Sequence, residues 1–182
     1  MNIRKRERSY RRPAIIYKDE IVKKVQSLWY SEDMFYYYGS PGTTIFIRDN
    51  PDIGENTYNY QWAIVDKDEN LIGYIGYNHN CYTNNVSNFG LVSFDKGNPC
   101  IGYALEECFY EMVMVRKVHR IEYGMIEGNP IYKHYKKFCD AFGGREMIFR
   151  DTAKNKYGEY INDYIFEIID PYDHIIKGNE NK

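Results

Sequence analysis

The sequence predicts a mixed α+β domain in which helices alternate with a mostly antiparallel sheet. Two strand-like runs, residues 60–65 and 71–77, flank a polar turn, which is typical of a β-hairpin. Near residue 97 the spacing of apolar residues changes from two to 3.6, so a strand leads into a helix. A further helical run ends at Gly143-Gly144 and is followed by two more strand-like segments. These observations predict the order helix, three strands, helix, strand, helix, hairpin.

Each predicted element follows from its own spacing. The predicted strands cover residues 60–65, 71–77, 86–94, 120–125, 146–150 and 159–169. The predicted helices cover residues 19–38, 101–115 and 130–142. Ile21, Val25 and Leu28 recur at spacings of four and three, which is one face of a helix. Asn129 is a favourable N-cap, and Pro130 suits the first turn of the last helix.

The segment 91–110 joins a strand, a turn and a helix. The apolar run at its start gives way to Asp-Lys-Gly-Asn-Pro at 95–99, after which the helical spacing begins. A tight turn into a helix exposes backbone N–H groups and the positive end of the helix dipole. The sequence therefore predicts a phosphate-binding turn at this point.

Charge is unevenly distributed along the 182 residues. Residues 1–12 carry six basic side chains and one acidic one, a net charge of +5, so the remaining chain carries −7 out of the total of −2. An acidic body argues against a general nucleic-acid binder, whose domain would be basic. We expect residues 1–12 to be a solvated, partly disordered basic arm, with contact to nucleic acid or an acidic partner as the alternative. A single domain is expected over 13–170, followed by a C-terminal tail at 171–182.

Cysteine usage and hydropathy indicate a cytoplasmic protein. The four cysteines form no CxxC pair and no zinc-type spacing, so reduced thiols and no metal site are expected. No apolar run approaches the ~20 residues needed to cross a bilayer. The charged N-terminus also lacks the apolar segment of a secretory signal.

Three stretches resemble the GNAT superfamily of N-acetyltransferases, most closely its branch of ribosomal-protein-alanine and spermidine acetyltransferases. Residues 66–76 (DKDENLIGYIG) are similar to the family's hairpin, in which a polar turn precedes a glycine-containing strand. Residues 90–105 correspond to its strand, pyrophosphate loop and helix, and residues 119–143 to its next strand and helix. The resemblance covers about residues 60–169. It implies a twisted, mostly antiparallel sheet of about six to seven strands, with a splayed parallel pair and helices on both faces.

The resemblance implies acetyl-CoA as the cosubstrate, bound along residues 89–94 and by the amides of the loop that follows. The family's loop pattern, Q/R-x-x-G-x-G/A, falls here on residues 97–102 and agrees only at Gly102. Cys100 replaces a glycine and Pro99 removes one N–H donor, so weakened pyrophosphate binding is expected. The residues implied to bind the cofactor are Leu91, Val92, Ser93, Cys100, Ile101, Gly102, Tyr103 and Asn129.

The resemblance also implies direct attack of a neutral amine on the thioester, with a tyrosine that protonates the departing thiolate. Tyr135 is the best match and Tyr132 the alternative, although Tyr135 also lies on the apolar stripe of its helix and could be core. Glu122 and Asp95 are the candidate bases, since the strand before the loop contains no carboxylate. Asn129 could contact the cofactor or cap its helix.

The resemblance thus implies an N-acetyltransferase that moves an acetyl group to a primary amine of a small molecule or a protein N-terminus. Glu32, Asp33, Asp49 and Asp52 are expected on the acceptor side, where they would suit a cationic amine. The alternative is a non-catalytic GNAT-fold module that binds acyl-CoA or regulates a partner, motivated by the altered loop and the missing base. Neither a membrane nor nucleic acid is favoured as a partner, and a monomer or a homodimer is expected.

Overall fold

The structure is a computed structural model that describes residues 7–28, Ser31, Ile47 and residues 52–180, with the backbone alone for 177–180. Its strands are β1 (Arg11–Pro13), β2 (Thr57–Val65), β3 (Leu71–Asn80), β4 (Asn85–Ser93), β5 (Arg120–Ile126), β6 (Arg145–Lys154) and β7 (Tyr160–Ile169). Its α-helices are α1 (Lys18–Leu28), α2 (Pro99–Tyr110), α3 (Tyr132–Ala141) and α4 (Pro171–Glu180). A 3-10 turn, Ala14–Tyr17, precedes α1, and a π-helical turn, Glu111–Val115, continues α2. The predicted mixed α+β class is confirmed.

The strands form one sheet in the order β1-β2-β3-β4-β5-β7-β6. Every neighbouring pair is antiparallel except β4 and β5, which run parallel. The polar turn at 66–70 connects β2 to β3, as its sequence predicts. The predicted sheet, with one parallel pair, is therefore confirmed.

The helices cover both faces of the sheet. Ile64 and Ile75 pack with the apolar residues of α2 and α3 in the larger core. Ala63, next to Ile64 on β2, packs instead with Ile21 and Val25 of α1 in a smaller core. Adjacent strand residues point to opposite faces, so α1 lies on one face and α2 and α3 on the other.

The described part of the predicted first helix, residues 19–38, is α1. α1 ends at Leu28. Residues 29, 30 and 32–46 lie outside the described part of the chain, and so do Glu32, Asp33 and Asp49. Asp52 is described and exposed, and its carboxylate accepts a bond from the amide of Gly54.

The described part of the basic arm is docked on the domain, unlike the solvated terminus expected from its charge. Arg11 begins β1, which pairs with β2, and its guanidinium bonds to Glu107 and Glu111 of α2 and the π-helical turn. Arg12 and Arg8 bond to Glu69 in the β2–β3 turn. Acidic side chains of the body thus attract the arm, a long-range effect that the local sequence does not reveal.

The predicted C-terminal tail contains a helix. Pro171 suits its first position, and Asp173 lies in its first turn, where a negative charge favours the helix dipole. His174 of α4 lies where a side chain on Gly143 would be, since its Cε1 would be 2.9 Å from a Cβ at that position. α4 therefore packs beside the end of α3.

An ion-pair ladder joins β5, β7 and β6. Glu167 of β7 is nearly buried, with 8% of its side chain exposed, and accepts bonds from Arg120 Nε at 2.8 Å and Arg145 Nε at 2.6 Å. Arg120 also bonds to Glu122 on the same strand. The bonds from Arg120 and then Arg145 hold the pKa of Glu167 below its ordinary value.

The ladder predicts acid-sensitive stability. Because the folded pKa of Glu167 lies below the ordinary 4.5, its contribution is complete above about pH 4.5 and is lost as the pH falls through the folded pKa. Glu167→Gln should therefore be less stable than wild type at neutral pH, with the difference shrinking in acid. Urea denaturation from pH 3 to 7 would measure this. Glu122→Gln is the matched control, and an equal response of both variants would contradict the assignment to Glu167.

Candidate active site

The parallel strands β4 and β5 part half-way along their length. They pair at Asn85–Arg120, Val86–Ile121 and Phe89–Tyr123, with an irregularity between the last two pairs. Asn88, inside that irregularity, has a φ of 51°, a left-handed conformation that asparagine tolerates. Beyond Phe89, the described part of the chain contains no further pairing between these strands. The edge of β4 from residue 90 to 93 therefore faces a gap.

A cleft of about 410 Å³ occupies this gap. Its described lining residues come from β4, the following loop, the first turn of α2, β5, the turn that follows β5, and α3. They are Phe89, Gly90, Leu91, Val92, Ser93, Lys96, Gly97, Ile101, Gly124, Met125, Asn129, Pro130, Ile131, His134 and Tyr135. The lining is mainly apolar with a few polar groups, as in many small-molecule sites.

The amides of residues 100–103, which the resemblance assigns to cofactor binding, have partners within the protein. Asn98 caps the helix, because its Oδ1 accepts a bond from the amide of Cys100 at 3.0 Å. The carbonyl of Asn98 accepts a bond from the amide of Ile101 at 3.1 Å. The amides of Gly102 and Tyr103 lie within α2, where each amide bonds to the carbonyl four residues earlier, so all four of these donors are already bonded. Sequence reasoning read Asn98 as a turn residue and missed its capping role.

The side chains of this loop also differ in their surroundings. Cys100 is buried, with 3% of its surface exposed, so its thiol belongs to the core. Tyr103 packs against that core with its ring 5.5 Å from the ring of Tyr10. A Cβ on Gly102 would meet no atom within 4 Å, so the backbone there is open to a close approach. Ile101 lines the cleft.

Asn129 has the capping role and also lines the cleft. Its Oδ1 accepts a bond from the amide of Ile131 at 3.0 Å, and its carbonyl accepts one from the amide of Tyr132. The side chain is thereby held at the edge of the cleft beside α3. The two alternatives considered for this residue are compatible in this geometry.

The structure distinguishes the two candidate tyrosines. Tyr135 lines the cleft, is 3% exposed, and packs against Tyr123 with ring centroids 4.9 Å apart. Tyr123 donates its hydroxyl proton to the carbonyl of Tyr135 at 3.0 Å, which fixes this turn of α3. Tyr132 is absent from the described lining of the cleft and packs against Tyr164 at 5.4 Å. Tyr135 is thus both a core residue and a cleft residue.

Neither candidate base lines the cleft. Glu122 is bonded to Arg120 within the ladder, with 37% of its side chain exposed. Asp95 is exposed and accepts a bond from Asn98 Nδ2 at 2.8 Å. No carboxylate is among the described residues that line the cleft.

Leu91, Val92, Ser93, Ile101, Asn129 and Tyr135 are the predicted site residues that meet at the cleft. Cys100, Gly102, Tyr103 and Glu122 do not line it. Sequence reasoning missed Lys96 and His134, which bring a cationic and a titratable side chain to its lining. His134 directly precedes Tyr135, and Lys96 lies inside the predicted phosphate turn. Their position next to predicted site residues in the sequence could have indicated both of them.

The described residues contain neither a membrane-spanning helix nor a group of side chains that could bind a metal ion. None of the helices among them is long and apolar enough to cross a membrane. The same residues contain no group of three or more His, Cys, Asp or Glu side chains placed to hold a metal ion.

Comparison with solved structures identifies the fold. No family model matches the sequence, and no curated protein matches it. Spermidine N-acetyltransferase from Vibrio cholerae, solved with CoA and spermine, is 15% identical, with 86% of this chain and 93% of that chain covered and a TM-score of 0.62. A GCN5-related N-acetyltransferase from Brucella melitensis is 14% identical, with 85% and 73% covered and a TM-score of 0.51.

Two further structures, of proteins described as acetyltransferases, match with lower scores. Both are 16% identical, and one is from T. thermophilus. Each match covers 66% of this chain, and the matches span 66% and 64% of those proteins, just under two thirds, with TM-scores of 0.48 and 0.47. The fold assignment depends on the two higher-scoring structures. This chain has the fold of the GNAT N-acetyltransferases, as the resemblance in its sequence predicted.

Proposed function

We propose that this protein is an N-acetyltransferase that transfers the acetyl group of acetyl-CoA to a primary amine. The observation that carries the proposal is the gap between β4 and β5, where the edge of a strand faces an apolar cleft. An extended chain with amide groups can bond to such an edge as an additional strand. The pantetheine arm of CoA has this chemistry, and it would lie against residues 90–93.

The two ends of the cleft suit the two ends of such a ligand. Lys96 and Gly97 lie where β4 leads into α2, and the helix dipole adds positive potential for a diphosphate. Tyr135 lies at the buried side, where the thioester would be held next to Phe89. The Lys96 side chain would replace the amide donors that already have partners in the loop and the helix.

The chemistry requires proximity and two proton transfers. Holding the amine next to the thioester lowers the entropic part of the barrier. The attacking amine loses a proton, and the departing thiolate gains one. Tyr135 is proposed as the acid for the thiolate. His134 is proposed as the group that accepts the amine proton, directly or through water, because the described lining contains no carboxylate.

The acceptor is proposed to be a primary amine of a small molecule or a protein N-terminus. A structural neighbour is a spermidine N-acetyltransferase solved with spermine, which supports an amine as the acceptor class. The predicted acidic residues of the acceptor side lie mostly outside the described chain. A panel of polyamines and N-terminal peptides, assayed by release of free CoA thiol, would identify the acceptor.

Gly102→Ala tests cofactor binding without lowering the stability of the fold. A Cβ at this position meets no protein atom, and alanine favours a helix over glycine by at most about 1 kcal/mol, so the variant should be at least as stable as wild type. Phosphate oxygens at the helix N-terminus would lose that space, so the Kd for CoA should rise about tenfold, or about 1.4 kcal/mol. Calorimetry with CoA and thermal denaturation measure the two effects.

Glu106→Ala is the matched control, because residue 106 lies one turn further along the same side of α2. Its affinity for CoA should match that of wild type. If wild type itself fails to bind acetyl-CoA at millimolar concentration, the proposed function is wrong.

A second candidate is a non-catalytic module that binds acyl-CoA. It is favoured by the bonded amides of Cys100 and Ile101 and by the missing carboxylate in the described lining. This candidate predicts CoA binding without thiol release for any amine of the panel. Turnover with one acceptor would exclude it.

A further inference from the structure

A cysteine, a histidine and an asparagine meet at the turn between β3 and β4. Cys81 Sγ lies 3.7 Å from His79 Nδ1, and His79 Nε2 lies 2.9 Å from Asn84 Oδ1. Cys81 is exposed, whereas the other three cysteines are buried. We refer to these three side chains as the thiol cluster.

The hydrogen bonds of Asn84 determine which ring nitrogen of His79 carries the proton. Asn84 Nδ2 donates to the carbonyl of Lys117 at 2.9 Å, so its Oδ1 is the atom that faces His79. An amide oxygen only accepts hydrogen bonds, so the Nε2 of neutral His79 must carry the proton. The other ring nitrogen, Nδ1, then presents its lone pair to the Cys81 thiol. The order thiol, imidazole, amide is that of a Cys-His-Asn arrangement.

The backbone of the turn holds the cluster in place. Asn80 Oδ1 accepts bonds from the amides of Tyr82 and Thr83 at 3.0 and 2.9 Å. The amide of Cys81 donates to the carbonyl of Asn56 at 2.8 Å. His79 is only 5% exposed, so its ring has little freedom to turn away. A nucleophile and base held by their surroundings are prepared for reaction.

The cluster is separate from the cleft. It lies before the first residue of β4, whereas the phosphate turn follows the last, and a nine-residue strand spans roughly 30 Å. Support of the turn accounts for Asn80 and for the bond from Asn84 to Lys117. Support of the turn does not explain why Nδ1 of His79 faces the exposed thiol of Cys81.

We propose that Cys81 is an imidazole-activated thiol that exchanges with small-molecule disulfides. His79 Nδ1 takes the thiol proton, and the thiolate attacks one sulfur of the disulfide. The disulfide bond breaks as the bond from Cys81 to that sulfur forms. The other half departs as a thiolate and takes the proton from the imidazolium, so no further oxidant is needed. The product is Cys81 in a mixed disulfide.

The test uses the full chain with oxidised glutathione and measures the mixed disulfide by intact-mass spectrometry. Wild type should gain one glutathionyl group, and Cys81→Ser none. The rate constant for wild type should exceed that of Cys81 in the urea-unfolded chain, where peptide mass spectrometry distinguishes Cys81 from the three cysteines that unfolding exposes. His79→Gln should lower the folded rate at least about tenfold, because general-base assistance is commonly worth more than that.

Asn84→Gly provides an independent test from the other side of the imidazole. Glycine tolerates the φ of 54° at this position, so the turn is retained while the bond to His79 is lost. The exchange rate should fall severalfold, and thermal denaturation would verify that both variants are folded. Equal rates for wild type, folded Asn84→Gly and unfolded chain would overturn the proposal. Modification of a buried cysteine in place of Cys81 would also overturn it.

Discussion

Replacing Glu107 with alanine is expected to lower the free energy of unfolding by about 3 kcal/mol, which corresponds to about 6–12 °C in Tm for a chain of this size. The Glu107 carboxylate is 9% exposed. It accepts bonds from Ser9 Oγ at 2.6 Å, the amide of Tyr10 at 2.9 Å and Arg11 Nε at 3.3 Å. One side chain of α2 therefore attaches the N-terminal segment to the domain.

The free energy of unfolding falls because the substitution removes the acceptor and leaves the donor groups of Ser9, Tyr10 and Arg11 in place. The Tyr10 amide is buried, and an unsatisfied buried donor costs about 1–3 kcal/mol. Arg11 has 14% of its side chain exposed and stacks over the Trp62 ring at 4.6 Å. It keeps its bond to Glu111, which places the expected loss at the lower end for a broken buried ion pair.

Glu106→Ala is the control on the same helix. Residue 106 is half-buried, and its substitution should lower the free energy of unfolding by clearly less than that of Glu107. A double-mutant cycle with Arg11→Met should show coupling, because each single change leaves a polar partner behind while the double change removes both. Additive losses would mean that Arg11 and Glu107 act independently.

Arg11 also contacts the thiol of Cys108, which we expect to be unreactive toward disulfides. Burial raises the pKa of Cys108 to about 12. Arg11 Nη1 lies 3.2 Å from its sulfur, which favours the thiolate, but burial outweighs this effect. This environment contrasts with that of the exposed Cys81.

Local patterns predicted the elements whose causes are local. The turn at 66–70 is braced by its own Asp66, whose carboxylate accepts bonds from the amides of Asp68 and Asn70. The turn that leads into α3 also follows from a local contact, since the side chain of Asn129 accepts a bond from the amide of Ile131. These contacts lie within four residues of one another, so the sequence contains the whole interaction.

The remaining features depend on contacts between distant parts of the chain. Arg11 and Glu107 are 96 residues apart, so the charge of the arm alone indicated a solvated segment. Nothing in the sequence indicated that Glu122 is bonded to Arg120, which also pairs with Glu167 on β7. The gap after Phe89 depends on an irregular register with β5. Residue types alone did not distinguish it from an ordinary buried strand, and only the family resemblance predicted it.

Tyr135→Phe is expected to lower kcat about 100-fold while the Kd for CoA stays within twofold. Phenylalanine retains the ring that packs against Tyr123 and Phe89, so the fold and the cleft should be preserved. The lost hydroxyl is the proposed proton donor to the departing thiolate. Thiol release, measured with the acceptor found in the amine panel, gives kcat, and calorimetry gives Kd.

Tyr132→Phe distinguishes catalysis from helix packing, because Tyr132 lies three residues earlier on the same helix and outside the described lining of the cleft. Its kcat should remain within about twofold of wild type, since no reacting group contacts it. The reverse result, a slow Tyr132→Phe and an active Tyr135→Phe, would assign the acid to Tyr132. If both variants keep full activity and affinity, water protonates the thiolate and Tyr135 serves only to pack α3 against the sheet.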